Sequence, residues 1–186
     1  MIRSSSLLQS VQQFADQPLP PVQEWDPPYC GDMDLRIDRN GVWWHEGREM
    51  TRPSLVRLFS RILRKEGDGY FLVSPLEKIG IQVDVAPILI TDVDVLERST
   101  GQLIQFTTQF GELLTLNAEN PLRVAVDAVT QEPTPYVHVR QGLEGLLHRN
   151  VFYRLVAHAV EAQVDGRSAW GVWSAGVFFP LGWSDE

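Results

Sequence analysis

The sequence contains one cysteine, Cys30, among its 186 residues. A single thiol excludes an intrachain disulfide framework and fits a reducing compartment. No stretch approaches the roughly 18 apolar residues that a membrane helix needs, and the first residues lack the continuous apolar core of an export signal. The sequence therefore predicts a cytoplasmic protein with no membrane partner.

The sequence also lacks the short motifs that mark common catalytic and cofactor sites. It has no H-E-x-x-H or C-x-x-C metal motif, no G-x-S-x-G nucleophile elbow, and no glycine-rich loop of the P-loop or Rossmann kind. No acid stands in a recognisable order beside His138, His148 or His158. We therefore predict no catalytic residue and no cofactor, and we favour a protein that is not an enzyme.

Positive charge is in short supply. Lys and Arg total 16 against 24 Asp and Glu, which gives a formal net charge of -8. Because nucleic acids and anionic membrane surfaces attract basic proteins, this balance disfavours both as partners. The basic residues that are present concentrate partly in the segment 48–65.

Patterning along the chain divides it into three parts. Residues 1–28 combine a short amphipathic helix, which begins behind the serines at 4–6, with a proline-rich connector. Residues 29–86 mix helix and strand signals and predict a first α+β domain. Residues 87–186 consist mostly of short β-like segments with one helix, and predict a second domain.

The clearest helix signal lies in the first domain. Thr51 is its predicted N-cap, and Gly67 is its predicted end. The apolar stripe, at the i, i+3, i+4, i+7 and i+8 spacing, comprises Leu55, Leu58, Phe59, Ile62 and Leu63. The last turn carries three cations that suit the negative end of the helix dipole, namely Arg61, Arg64 and Lys65.

Strand signals flank this helix. Apolar and charged residues alternate over 35–38, and Asn40-Gly41 supplies the backbone conformations of a tight hairpin. After the helix, a turn at 68–69 leads into an apolar strand. The predicted local order is hairpin, helix, strand.

The second domain contains a helix signal of the same spacing after a predicted Asn150 cap. A single offset superposes Leu55 on Phe152 and Phe59 on Val156. This pattern alone fits an internal duplication and two independent domains equally well. The apolar stripe of the second helix comprises Phe152, Leu155, Val156, Ala159 and Val160.

Four segments, CGDMDLRID, NGVWWHEGREMTR, LVRLFSRILRKEGDGYFLVSP and EKIGIQVD, follow one another in an order that resembles the bacterial domain-of-unknown-function family 1285. The resemblance is strongest from Cys30 to about Pro87 and continues through RQGLEGLLHRNVFYRLV. It implies an α+β protein of two duplicated domains. The strand, turn and helix pattern predicts that each domain is a curled antiparallel sheet with one packed helix. The resemblance implies that the second domain is superficially like a pleckstrin-homology fold. It further implies a nucleotide-like ligand site between the domains, and no established activity.

Arginines near the predicted helix starts are the candidate ligand-binding residues. Arg48 and Arg52 flank the first helix start, where free backbone N–H groups favour an anion and guanidinium groups bind phosphate in a bidentate manner. The alternative is a set of surface arginines balanced by acids, of which Glu77, Glu144 and Asp68 are near in sequence. The predicted ligand-binding set, with two rings to stack on a base, is Arg48, Arg52, Arg140, Arg149, Trp44 and Tyr153.

One acidic cluster stays open as an alternative metal site. Asp32, Asp34 and Asp38 are predicted to share one face of a strand, and His45 lies across the hairpin turn. Carboxylate and imidazole donors of this kind suit a hard or borderline metal. The competing interpretation is a solvated strand face on which Arg36 neutralises the aspartates.

Three function classes follow from these observations. The first is a ligand-binding or sensor module that holds a small anionic, nucleotide-like ligand and acts in bacterial signal transduction. The second is a metal-assisted enzyme that acts on phosphorylated substrates through Asp32, Asp34 and His45. The third is a scaffold whose second sheet binds a partner through an exposed strand edge. The sequence leaves the oligomeric state open.

Overall fold

A computed structural model describes residues 3–15 and 18–184 of the chain. The chain divides into two compact units, Met1–Pro87 and Ile88–Glu186. Strands predominate, and each unit combines a six-stranded sheet with helix, which confirms the predicted α+β class. No helix within the described ranges is long and apolar enough to cross a membrane.

The N-terminal unit begins with α1 (Arg3–Val11) and a 3-10 turn (Gln12–Phe14). The helix was predicted here, but it contains the serines that were expected to precede it. In its sheet the strands lie side by side in the order β3, β2, β1, β6, β5, β4. All neighbours are antiparallel except the central pair of β1 and β6, which is parallel. The elements are β1 (Tyr29–Ile37), β2 (Trp43–His45), β3 (Arg48–Glu49), α2 (Pro53–Arg61), β4 (Leu63–Glu66), β5 (Gly69–Val73) and β6 (Lys78–Val83).

The C-terminal unit contains a second six-stranded sheet, then a helix and a smaller sheet. Its elements are β7 (Ile88–Arg98), β8 (Gly101–Thr108), β9 (Leu113–Thr115), β10 (Leu122–Val126), β11 (Pro133–Arg140), β12 (Leu143–Leu147), α3 (Arg149–Val156), β13 (Val160–Val164), β14 (Arg167–Ser174) and β15 (Val177–Trp183). The six strands lie in the order β10, β11, β12, β7, β8, β9, with β12 and β7 parallel at the centre. The smaller sheet has the order β13, β14, β15.

The two six-stranded sheets have the same topology. In each, the first and sixth strands pair in parallel, and a three-stranded antiparallel meander extends from that pair to either edge. This repeated connectivity supports the internal duplication. Purely antiparallel sheets were predicted, and the central pair differs because it is parallel. Parallel strands are not joined by a tight turn, so no local sequence feature indicates their pairing.

The helices are not equivalent within this repeat. α2 connects the third strand of its sheet to the fourth, whereas α3 follows the sixth strand. The offset that superposes Leu55 on Phe152 therefore does not describe the duplication. The strands do, with β7 corresponding to β1 and β12 to β6.

The connection between β9 and β10 requires the C-terminal sheet to curl. These strands form the two edges of the sheet and would lie about 24 Å apart if six strands were flat. The chain from Thr115 to Leu122 spans that distance only when fully extended, at about 3.5 Å per residue. Instead it turns, because Asn117 Oδ1 accepts hydrogen bonds from the N–H groups of Glu119 (2.8 Å) and Asn120 (2.9 Å). The two edges must therefore approach each other.

α2 is shorter than the sequence indicated. Its N-cap is Arg52 rather than Thr51, and its last residue is Arg61, well before Gly67. Pro53 occupies the first helical position, which suits its fixed φ and missing N–H. The chain beyond the helix instead forms β4, which pairs with β5 around a turn at Gly67.

Four of the five apolar residues predicted for this helix belong to the core, and the fifth, Leu55, is half-buried. Leu58 and Phe59 on α2 are buried, and so are Ile62 and Leu63 beyond its end. The ring of Phe59 lies 6.5 Å from that of the fully buried Trp43 on β2. α2 therefore covers the face of the sheet that carries Trp43.

α3 also differs from its predicted limits. Its N-cap is His148, whose Nδ1 accepts a hydrogen bond from the backbone N–H of Asn150 (3.3 Å). The helix ends at Val156, so Ala159 lies beyond it and Val160 begins β13. A tight turn made by backbone hydrogen bonds from His158 and Ala159 redirects the chain into the smaller sheet.

The core of the C-terminal unit joins the large sheet, α3 and the smaller sheet. Its buried members include Phe106 on β8, Phe152 on α3 and Phe179 on β15. Ser174 Oγ on β14 donates to the carbonyl oxygen of Leu116 (2.6 Å) and accepts from the N–H of Ile104 (2.9 Å). This buried hydroxyl group ties the smaller sheet to the larger one.

Removal of the Phe59 side chain should leave a cavity beside Trp43. We expect Phe59→Ala to lower the free energy of unfolding by about 3 to 5 kcal/mol, measured by urea denaturation. Leu76, whose side chain is 71% exposed, provides the control, and Leu76→Ala should change stability by less than about 0.5 kcal/mol. Equal losses for the two variants would contradict the assigned core.

Two glycines of the smaller sheet form a matched pair. A Cβ on Gly171 would overlap the carbonyl oxygen of Phe179 and lie 2.6 Å from Phe178 Cζ, whereas a Cβ on Gly182 would meet nothing within 4 Å. Because the overlapping atom belongs to the backbone, Gly171→Ala should destabilise the protein by about 1 to 3 kcal/mol. Gly182→Ala should be close to neutral in the same thermal unfolding experiment, and the opposite ranking would contradict this packing.

Candidate functional site

The two faces of the N-terminal sheet differ in character. Along β1, Leu35 and Ile37 are buried, whereas Asp34 and Arg36 are exposed. Side chains of a strand alternate between faces, so the face of Leu35 packs in the core and the face of Arg36 is open. We call the second surface the open face, and it includes Asp34, Arg36 and Trp44.

The alternative metal cluster is divided between these faces. His45 lies directly opposite Leu35 in the β1–β2 register and therefore projects to the core side, whereas Asp34 projects from the open face. Asp32 accepts a hydrogen bond from Tyr29 Oη (2.7 Å). Within the described residues, no group of three or more His, Cys, Asp or Glu side chains is placed to hold a metal ion. The grouping of Asp34 with His45 was therefore wrong, because the cross-strand register separates them.

Asp38 has a structural role in the predicted hairpin, which the structure confirms. Its Oδ1 accepts hydrogen bonds from the N–H groups of Asn40 (2.8 Å) and Val42 (3.0 Å), and its Oδ2 accepts from Trp44 Nε1 (3.0 Å). Burial raises the pKa of Asp38, but these hydrogen bonds and the charge of Arg36 together hold it below its usual value. The carboxylate therefore fixes both the turn and the ring of Trp44.

Trp44 and Arg48 lie on opposite faces of the sheet. Trp44 stands opposite Arg36 on β1 and Glu49 on β3, whereas Arg48 stands opposite His45. Trp44 is therefore a ring of the open face. The structure does not bring it together with Arg48, although the sequence grouped them.

The start of α2 carries two exposed arginines. Arg52 is the N-cap in an extended conformation (φ −94, ψ 101), and its side chain makes no capping hydrogen bond. Its carbonyl oxygen accepts from the N–H groups of Leu55 (3.1 Å) and Val56 (3.2 Å). Within the part of the chain that the structure describes, neither the Arg52 nor the Arg48 guanidinium group has a hydrogen bond or an ion pair. Pro53 has no N–H group and that of Leu55 donates to Arg52, so among the described residues the first turn leaves the N–H group of Ser54 free. Two arginines precede it in the chain, and the first turn contains no acidic side chain.

The candidate residues of the C-terminal unit have different surroundings. Arg140 forms an ion pair with Glu112 (3.0 Å) and has a side chain only 15% exposed. Arg149 is the exposed first residue of α3, and Tyr153 is 60% exposed one turn later. The α3 start already has a cap in His148, which the α2 start lacks.

Of the proposed compensating acids, Glu144 has another partner. It accepts two hydrogen bonds from Arg123, at 2.6 Å and 2.7 Å, and the same guanidinium group lies 4.2 Å from the ring centre of Tyr136. Glu77 accepts a hydrogen bond from Ser6 Oγ (3.0 Å). The acid that pairs with Arg140, Glu112, was not among those expected from the sequence.

Sequence reasoning missed the role of Arg64. It was expected in the last turn of the helix, but it lies buried on β4, where Nη1 donates to the carbonyl oxygens of Val22 (2.9 Å) and Trp25 (2.7 Å). Nη2 donates to Glu66. The sequence feature that could have revealed this is the turn Gly67-Asp68, because such a turn can link two strands and need not end a helix. Arg64 therefore fastens the proline-rich segment to the sheet.

The hydroxyl groups of Ser74 and Ser174 form hydrogen bonds with the backbone. Ser74 Oγ accepts from the N–H groups of Leu76 (3.2 Å) and Glu77 (3.1 Å), and Ser174 Oγ links two sheets. His138 uses both ring nitrogens, with Nδ1 3.0 Å from the carbonyl oxygen of Glu119 and Nε2 accepting from the N–H of Gly142 (3.1 Å). The structure therefore gives each of these groups a local structural role.

Comparison with known families divides the chain at nearly the same place as the structure. Residues 20–86 match the model described as "Domain of unknown function (DUF1285), N-terminal domain". Residues 87–181 match "Protein of unknown function (DUF1285), C-terminal domain". No curated protein matches the chain.

Two solved structures are similar to this chain. A DUF1285 family protein from Silicibacter pomeroyi DSS-3 is 44% identical, with a TM-score of 0.85 and 96% of each chain covered. A DUF1285 family protein from Shewanella baltica OS155 is 27% identical, with a TM-score of 0.52, and the match covers 66% of this chain and 90% of that one.

The Glu66 carboxylate generates a pH-dependent prediction. Its hydrogen bond from Lys78 (2.9 Å), followed by that from Arg64, holds the pKa of Glu66 below its usual value, against an opposing effect of burial. A lowered folded-state pKa stabilises the protein above the unfolded pKa, and this stability is lost as the pH falls through the folded pKa. Glu66→Gln should therefore cost most at neutral pH and least below about pH 4.

Urea midpoints measured across this pH range provide the check. In a Lys78→Gln background, the same Glu66→Gln substitution should show a weaker pH dependence, because the largest cause of the shift has been removed. A cost for Glu66→Gln that stays constant from neutral to acidic pH would refute the assigned ion pair.

Proposed function

This chain belongs to the DUF1285 family, whose two domain models together match residues 20–181, and from that premise we propose that it is a ligand-binding or sensor module for a small anionic, nucleotide-like ligand. The family descriptions assign no function. We propose that the protein is not an enzyme and acts in bacterial signal transduction. We also propose a cytoplasmic location, because a single cysteine suits a reducing compartment.

One observation carries the proposal, namely the uncapped start of α2 with two exposed arginines beside it. The helix dipole and the free N–H group of Ser54 in the first turn attract an anion. Arg52 stands at the N-cap and Arg48 on the preceding strand, so both arginines lie within a few residues of that first turn in the chain. A phosphate group would accept a hydrogen bond from the Ser54 N–H group and bidentate hydrogen bonds from either arginine.

The C-terminal unit supplies a second set, Arg149 and Tyr153. An arginine and an exposed aromatic ring one helical turn apart suit a phosphate and a base respectively. The proposal assigns no ligand contact to Arg140, because Glu112 already neutralises it. It also leaves out Trp44, which lies on the open face.

We do not propose a metal-assisted enzyme as a second function. Its donor set needed His45 beside Asp34, and the register of β1 and β2 places their side chains on opposite faces. The scaffold hypothesis depends on a strand edge and is a separate question from ligand binding.

Substitution of Arg52 tests the proposal. We expect one or more compounds among AMP, ADP, ATP, GTP and pyrophosphate to raise the melting temperature of the native protein. Arg52→Ala should weaken that binding by roughly 10-fold to 100-fold in isothermal titration calorimetry, because one charge-assisted contact is lost. The ligand-free melting temperature should stay the same, since Arg52 has no partner within the described residues.

Arg57 provides the matched control, because it is an exposed arginine on the same helix but away from its start. Arg57→Ala should leave affinity unchanged apart from a small loss of general attraction. The calorimetric stoichiometry, and a parallel Arg149→Ala variant, show whether both arginine sets take part. No melting shift from any compound, or an Arg52→Ala variant that melts early and binds as tightly as native, would reject the proposal.

A further inference from the structure

β13 is an edge strand whose outer edge has no backbone partner among the described residues. It has five residues, Val160–Val164, in regular register with β14, and contains no proline, glycine or lysine. Exposed edges usually carry such residues, a bulge or a very short strand, because a bare row of N–H and C=O groups pairs readily with another strand. β13 therefore lacks these features, and its one charged side chain is that of Glu161.

The other described edges are protected. On the far side of the same sheet, β15 contains Pro180 and an irregular register against β14. β3 has two residues, both charged, and β9 has three. β4 carries Arg64, Lys65 and Glu66, and β10 lies beside β15. β10 matches β13 in length and in regular register, but β10 lies beside β15, whereas β13 has no such neighbour on its outer edge among the described residues.

The side chains of β13 are sorted by face. Val160, Ala162 and Val164 project to one side and Glu161 and Gln163 to the other. The apolar side continues across the sheet, since Val160 stands opposite Gly171 and the next residue on that face of β14 is Trp173.

These apolar groups are accessible to a partner. Val160 is 47% exposed and Trp173 is 46% exposed, and the Trp173 ring packs 5.3 Å from that of Phe178. A further strand added to β13 would extend this apolar surface and cover part of it.

We propose that two copies of this chain associate through their β13 strands, paired antiparallel about a two-fold axis at Ala162. The axis stands perpendicular to the sheet, so the apolar sides of both copies face the same way. Opposite residues must then project from the same face, which allows registers centred on Glu161, Ala162 or Gln163 within this strand.

Charge selects among these three registers. A register centred on Glu161 places two carboxylates opposite each other, and one centred on Gln163 places Glu161 opposite Asp165 of the second copy. Like charges in directly opposite positions destabilise a strand pair. The register centred on Ala162 instead places Glu161 opposite Gln163 and Val160 opposite Val164. It pairs all five residues without a like-charge contact, so the strand is complementary to itself.

The first test is the molar mass in solution, measured by light scattering during size-exclusion chromatography. The native chain should be a dimer. Ala162→Lys places two ammonium groups opposite each other at the axis and should give a monomer with an unchanged circular dichroism spectrum. Val129, which is 90% exposed outside β13, provides the control, and Val129→Lys should remain dimeric.

The second test reads the register and does not depend on Ala162→Lys folding. In a Cys30→Ser background, Ala162→Cys should form an interchain disulfide under mild oxidation, because the two Cβ atoms lie about 4.5 to 5.5 Å apart across the axis. Gln163→Cys should not, because Glu161 faces it. A native chain that stays monomeric up to about 100 µM, a dimer that survives Ala162→Lys, or equal cross-linking at both positions would overturn the proposal.

Discussion

The parallel pairing of the first and sixth strands is the interaction on which each six-stranded sheet depends. Both meanders lie between these strands along the chain, so the sheet is complete only when that long-range pair forms. In each sheet a glycine on the sixth strand leaves space for a side chain of the first strand. A Cβ on Gly80 of β6 would overlap Asp32 Oδ1 of β1, and a Cβ on Gly145 of β12 would lie 2.8 Å from Ile90 Cδ1 of β7. In both sheets a glycine on the sixth strand lies against a side chain of the first strand, which further supports duplication of the strands.

This topology determines where the helices and arginines lie. The third and fourth strands are opposite edges of a sheet, so the chain must cross between them, and in the N-terminal unit α2 makes that crossing. In the C-terminal unit a turn around Asn117 makes it, and α3 follows the sixth strand. The helix starts at Arg52 and Arg149 are therefore not copies of one another. The repeat consists of the strands, and the two helix-start arginines occupy different places in it.

Local signals in the sequence predicted local structure well. Asn40-Gly41 fixed the first hairpin, and the apolar spacing identified the core residues Leu58 and Phe59. The sequence failed where a distant pairing decided the outcome. Arg64 lies on a strand and not on the predicted helix because β4 pairs with β5. His45 and Asp34 project from opposite faces of the sheet because of the register between β1 and β2. A one-residue shift of register reverses every side chain, and no local pattern encodes it.

Charge balance bears on the meaning of the unpaired arginines. The chain has an excess of acids, with a net charge of -8, and within the described residues it pairs Arg36, Arg123 and Arg140 with carboxylates of their own unit. A shortage of acids therefore does not explain why Arg48 and Arg52 lack one. Exposed arginines without partners are ordinary, and solvation alone accounts for Arg57 on the outer surface of α2. Arg52 differs because it stands at an uncapped helix start, where an acidic side chain would stabilise the free N–H group of Ser54 and the guanidinium group together. The position that most favours a carboxylate has none, which is the arrangement that a bound anion would complete.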